Sequence, residues 1–105
     1  MYFLVLLRPG DARSDPRLDA QHEAFIDGLI RGNEILLGGN LSPRSGLPAA
    51  YLLACDSRKR AEDVARDDPY VREGVFHPRV LEWRLVAINP DAVDTKLVLR
   101  PEDVR

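Results

Sequence analysis

Short apolar runs alternate with amphipathic stretches along the chain, and their order predicts the fold. Residues 2 to 8, YFLVLLR, are apolar at consecutive positions and stop at Pro9-Gly10. A run that is apolar at odd and even positions alike reads as a strand buried on both faces, or nearly so. PGDARSD is a loop, and Asp15-Pro16 then starts a helix, with Asp as N-cap and Pro at the first helical position. From Pro16 to Arg31, the residues Leu18, His22, Phe25, Ile26, Leu29 and Ile30 share one stripe at offsets of three and four. Gly32-Asn33 ends this helix, since both residues tolerate a left-handed cap.

EILLGGNL (34 to 41) reads as a second strand with a glycine pair inside it, and SPRSGLP as a turn. AAYLLAC (49 to 55) is a third strand, apolar on both faces. Asp56 or Ser57 caps a second helix over about 57 to 67, with Ala61, Val64 and Ala65 turned inward. FHPRVLEWRLVAI (76 to 88) is a fourth strand, more polar, with Pro78 near its start as an edge strand tolerates. Residues 1 to 88 thus form one domain, and 89 to 105 a C-terminal extension whose KLVLR run has the composition of a short extra strand.

The order β-α-β-β-α-β predicts an α+β fold. Its simplest form is a ferredoxin-like antiparallel sheet with both helices on one face and right-handed crossovers. The first and third strands, the two most apolar, lie centrally in that topology. The second sheet face is left bare, although both central strands are apolar on both sides. A homodimer packing sheet against sheet resolves the conflict.

Composition narrows the partners. The 105 residues fit one domain, and 45% hydrophobic with 30% charged residues is a soluble globular profile. Net charge is -2 with no basic stripe, which argues against nucleic-acid binding. No apolar run approaches the roughly 18–20 residues needed to span a bilayer, and the N-terminus lacks the features of a signal peptide. The lone Cys55 lies in an apolar run, reads as a small core residue, and leaves a reducing, cytoplasmic setting as the default.

Two residues stand out for chemistry. His22 falls among apolar neighbours on the first helix, where a neutral imidazole serves as general base if a partner fixes its tautomer. The plainer reading is a core histidine bonded to a backbone carbonyl. Asp68 falls on the inward side of the second helix, and Asp68-Pro69 repeats the pattern of Asp15-Pro16. It therefore reads as the N-cap of a short turn, PYVREG, closed by Gly74. The two readings of Asp68 are compatible, with one carboxylate oxygen capping and the other facing a histidine. Both helices lie on one face with none between them, so His22 and Asp68 are placed to form an acid/base dyad.

The pair Gly38-Gly39, followed by Asn40, either opens floor space for a small molecule or makes room for helix packing. It is not a phosphate loop, since neither GxxxxGK[ST] nor GxGxxG spacing is present. Only two histidines exist and no CxxC or HxxxH spacing, so no metal site is expected. A thiol in an apolar strand stays protonated, which sets Cys55 aside as a nucleophile. Arg79, Trp83 and Arg84 read as interface or edge residues.

His22, the small-residue strand LLGGNL and above all DDPYVREGVF carry a resemblance to the YCII-related (YciI-like) family of the dimeric α+β barrel superfamily, over about residues 2 to 88. The resemblance implies a ferredoxin-like fold, a sheet-to-sheet dimer and a His–Asp active site, here His22 with Asp68. Asp67 is not the matching position, because the motif aspartate directly precedes proline. One relative is similar to a lyase that removes chloride from a chlorinated hydroxyquinol, and muconolactone isomerases share the superfamily. GGN departs from the Gly-Pro more usual after the second strand.

Two functions fit. One is a lyase, isomerase or dehydrohalogenase without cofactor, in which His22 and Asp68 act on a small aromatic or cyclic substrate contacted by Gly39, Asn40 and Tyr70. The other is a non-catalytic dimeric binding or accessory protein with a structural His–Asp pair.

Overall fold

The computed structural model describes residues 1–94 and residue 96. The elements are β1 (Tyr2–Pro9), α1 (Pro16–Arg31), β2 (Ile35–Asn40), β3 (Ala49–Ala54), α2 (Arg58–Asp67), α3 (Pro69–Arg72) and β4 (Phe76–Glu82). The KLVLR run lies, beyond Lys96, outside the described residues.

The strands form one antiparallel sheet in the order β2-β3-β1-β4, so the two most apolar strands are central as expected. The fold is ferredoxin-like, with the helices on one face. Burial along β1 alternates strictly. Phe3, Val5 and Leu7 are buried, whereas Tyr2, Leu4 and Leu6 between them are only half-buried. The buried set packs with Leu29 of α1, Tyr51 and Leu53 of β3, and Ala61, Val64 and Ala65 of α2. The expectation of burial on both faces of β1 therefore holds for one face within a single chain.

Local chemistry sets the helix ends. Asp15 caps α1 by accepting from Leu18 N at 2.8 Å, with Pro16 next to it. At the far end only Asn33 is left-handed, with φ 55°, while Gly32 has φ −83°. The cap thus rests on Asn33, which tolerates this region better than most residues. Of the two candidate caps for α2, Ser57 serves, accepting from Arg60 N at 3.1 Å. The α1 stripe is narrower than its spacing implies, because Ile30 remains 56% exposed beyond the edge of the sheet-facing side.

β4 ends at Glu82 and not at 88. Glu82 pairs with Phe3, and Trp83 N reaches Tyr2 O at 2.9 Å. At that point β1 is exhausted and offers no further backbone partner. Apolar composition alone does not extend a strand without one, and Val86 is left 98% exposed.

Candidate functional site

α1 delivers His22 one turn beyond the buried Leu18, so the imidazole leans toward the sheet side of the helix. α2 runs to Asp67 and stops there. Asp68 precedes Pro69, whose ring disfavours helical backbone at the preceding residue, and Asp68 adopts φ −58°, ψ 124°. The chain turns and restarts as α3, with Asp68 as its N-cap. The two aspartates that end α2 therefore have separate roles. Asp67 is exposed and meets Arg72 at 3.1 Å, while Asp68 is wholly buried.

Asp68 and His22 meet. His22 Nδ1 lies 2.9 Å from Asp68 Oδ1, with the imidazole 22% exposed and the carboxylate 0%. The same oxygen accepts from Tyr70 N at 3.0 Å. The sharing differs from the expected division of labour, in which one oxygen caps and the other faces the histidine. Here Oδ1 does both, and Oδ2 is buried with no hydrogen-bond partner among the described residues. The reason is the short reach of an N-cap carboxylate: the oxygen aimed at the Tyr70 amide also faces α1. A carboxylate only accepts, so Nδ1 carries the proton in this contact. When the ring is neutral, its lone pair is then on Nε2.

Aromatic groups fix the imidazole plane. The Tyr70 ring stacks on it at 4.3 Å between centroids and 25° between planes, and Phe25 lies at 6.4 Å. Phe76 meets the Tyr70 ring edge-on at 5.0 Å. The Tyr70 hydroxyl donates to Asp19 Oδ1 at 2.5 Å, and Ser14 Oγ reaches the same oxygen at 2.6 Å. Burial, with the bond to Asp19, pushes the Tyr70 hydroxyl up to about 12, so it stays protonated across the physiological range. The sequence suggested Tyr70 as a substrate contact; the fold places its ring against His22 itself.

The glycine pair divides. Gly38 pairs with Tyr51 of β3, and a Cβ on it would come within 2.8 Å of Tyr51 Cβ. Its space is taken by Tyr51 of the neighbouring strand. Gly39 pairs with Ala50 on the opposite sheet face, turned away from His22 and Asp68 by the two-residue period of the strand. It is not brought to the dyad. Asn40 pairs with Ala49, which also pairs with Leu7, and is exposed at the strand end on the helix-covered side.

Two residues at the site escape sequence reasoning. Asp19 is an ordinary first-turn acid until α3 brings Tyr70 to it. Tyr51 is buried and feels the charge of Asp68, and its one sequence signal is a hydroxyl inside the apolar run AAYLLAC. Cys55 is buried as expected, and burial raises its thiol. Among the described residues, no three His, Cys, Asp or Glu side chains group to hold a metal ion. No helix among them is long and apolar enough to cross a membrane.

Two depressions lie elsewhere. One of about 220 Å³ is lined by Glu62, Ala65, Arg66, Pro78 and Val80. The other, about 580 Å³, is bordered by Met1, Glu34, Cys55 and Arg60. Neither is lined by His22 or Asp68.

The sequence profile of the YCII-related domain matches residues 1–84. The chain belongs to this family. A comparison with curated proteins gives no significant match. Among solved structures, the chain is similar to the 5-chloro-2-hydroxyhydroquinone dehydrochlorinase of Burkholderia phenoliruptrix, determined in complex with 2,5-dihydroxybenzoquinone. The two superpose with a TM-score of 0.55 at 18% identity, covering 80% of this chain and 94% of the other. At that identity the likeness speaks for the fold of this YCII-related protein.

Proposed function

We propose that this YCII-related protein is a small-molecule lyase, isomerase or dehydrohalogenase in which His22 is the base and Asp68 its orienting partner. One observation carries the reading: a fully buried carboxylate lies 2.9 Å from one nitrogen of an imidazole that is itself 22% exposed. Asp68 holds the Nδ1 proton, and Nε2 takes a proton from substrate carbon. In an elimination, the electrons of that C–H bond form the new double bond as a leaving group such as chloride departs. In an isomerisation, the imidazolium returns the proton at another carbon. The imidazolium formed on the way is stabilised by the adjacent carboxylate. Neither reaction transfers electrons to a carrier, so proton transfer by His22 suffices without a cofactor.

A small aromatic or cyclic substrate suits the stacked rings of Tyr70 and Phe25, and the dehydrochlorinase of like fold was solved with a dihydroxybenzoquinone. Asn40, exposed at the end of β2, supplies a polar contact at the same end of the sheet. Leu37, Leu52, Leu4 and Leu81 are neighbours by register across all four strands on the uncovered face. That leucine row supports a sheet-to-sheet homodimer.

A screen of chlorinated hydroquinones and small lactones, run with wild type, His22→Ala and Asp68→Asn, tests the reading. Turnover by wild type that both variants lose is the expected result; turnover retained by both with the fold intact overturns it. A second reading, a non-catalytic binding protein, is favoured by the capping bond from Tyr70 N, which gives Asp68 a structural role of its own. A small aromatic ligand that stabilises wild type without being turned over supports it, and turnover that His22→Ala abolishes argues against it.

A further inference from the structure

Two buried polar atoms, on β3 and at the start of α3, have matching needs. Tyr51 Oη has a proton to donate, and Asp68 Oδ2 has lone pairs to offer. Neither has a hydrogen-bond partner among the described residues. Tyr51 is 3% exposed and Asp68 0%. The Asp68 charge is close enough to act on the phenol, which burial first and this charge second hold protonated. A phenylalanine would fill the same apolar strand position without a hydroxyl to satisfy. A buried hydroxyl left unpaired is destabilising.

We propose that Tyr51 is a positioning residue for the dyad: its hydroxyl donates to one enclosed water, which donates in turn to Asp68 Oδ2. The water links a donor and an acceptor that do not reach each other directly, as enclosed waters commonly do. Asp68 is then held at both oxygens. Oδ1 is fixed by Tyr70 N and His22 Nδ1, and Oδ2 by the strand beneath. The carboxylate cannot rotate away from the imidazole, and part of its charge is shared with the sheet. Among the described residues, His22 from α1, Tyr70 from α3 and Tyr51 from β3 face or act on Asp68. The inference rests on reading His22 and Asp68 as a working pair.

Tyr51→Phe decides the matter through the sign of its effect. If the hydroxyl is bridged to Asp68, the variant raises the unfolding equilibrium constant about tenfold at neutral pH, the scale of one hydrogen bond to a charged group. If it is an unsatisfied group, the variant is as stable as wild type or more so, and the inference fails. In an Asp68→Asn background the same substitution is expected to have less than half that effect. An equal effect in both backgrounds assigns the change to packing and overturns the bridge. A crystal structure of wild type shows directly whether a water contacts Tyr51 Oη and Asp68 Oδ2. The downfield proton resonance of His22 Nδ1–H, read by NMR, is expected to move in Tyr51→Phe. None of these readouts needs turnover, so loss of the bridge and failure of the proposed activity are separate results.

Discussion

Two Asp-Pro steps in this chain act as the same cap, but one carries an added load. Asp15 accepts from Leu18 N alone at 2.8 Å, whereas Asp68 Oδ1 accepts from Tyr70 N at 3.0 Å and faces His22 Nδ1 at 2.9 Å. Replacing each by alanine separates the two contributions. Loss of an N-cap alone costs about 1 kcal/mol. Loss of a hydrogen bond to a buried charged group adds roughly 1.5–3 kcal/mol. Asp15→Ala is therefore expected to destabilise by about 1 kcal/mol and Asp68→Ala by about 3 kcal/mol, within the range for breaking a buried pair. Urea unfolding followed by circular dichroism measures both, and a shared slope licenses the comparison. In His22→Ala, the further effect of Asp68→Ala should fall toward that of Asp15→Ala. Equal losses for the two aspartates in the wild-type background would refute the claim that the His22 contact contributes to stability.

Gly38→Ala is expected to destabilise by about 1–3 kcal/mol through its 2.8 Å approach to Tyr51 Cβ, while Gly39→Ala, with nothing within 4 Å, stays within about 0.5 kcal/mol by thermal melting. The bond from Arg60 holds the Glu34 carboxyl below its usual range. The folded state thus gains stability above the unfolded value, about 4.3, and loses it as pH falls through the lower folded value. Glu34→Gln should cost less than about 1 kcal/mol at pH 7, and the difference should vanish in acid. Tyr70 has the opposite sign, being raised to about 12. Stability is indifferent to this hydroxyl below about pH 10 and declines as pH rises toward 12, and Tyr70→Phe should flatten that decline in urea melts. Leu4→Arg places a charge in the leucine row of the open face and is expected to convert a dimer to a monomer in sedimentation velocity.

Much of the candidate site was legible because local rules placed it. Pro69 forces the backbone at Asp68 out of the helix, and helical spacing turns His22 inward from Leu18. Their meeting across 46 positions of sequence followed from topology, since among the described residues two long helices share one sheet face. The sharing of Oδ1 was not legible, because it depends on where α3 aims one carboxylate oxygen. Nor was the role of Tyr70, whose ring direction is set by Asp19 and Phe76 from two other elements.

The sequence by itself determined the element order, both Asp-Pro caps, the central position of the two most apolar strands and the identity of His22 and Asp68 as candidates. These rest on periodicity and backbone restriction, which act within a few residues. Tertiary structure alone decided where β4 stops, which glycine is crowded and which is open, and that Tyr51 is buried within the influence of the Asp68 charge. Those depend on the end of β1, the register of β2 against β3, and packing between residues distant in the chain. No window of sequence contains that information.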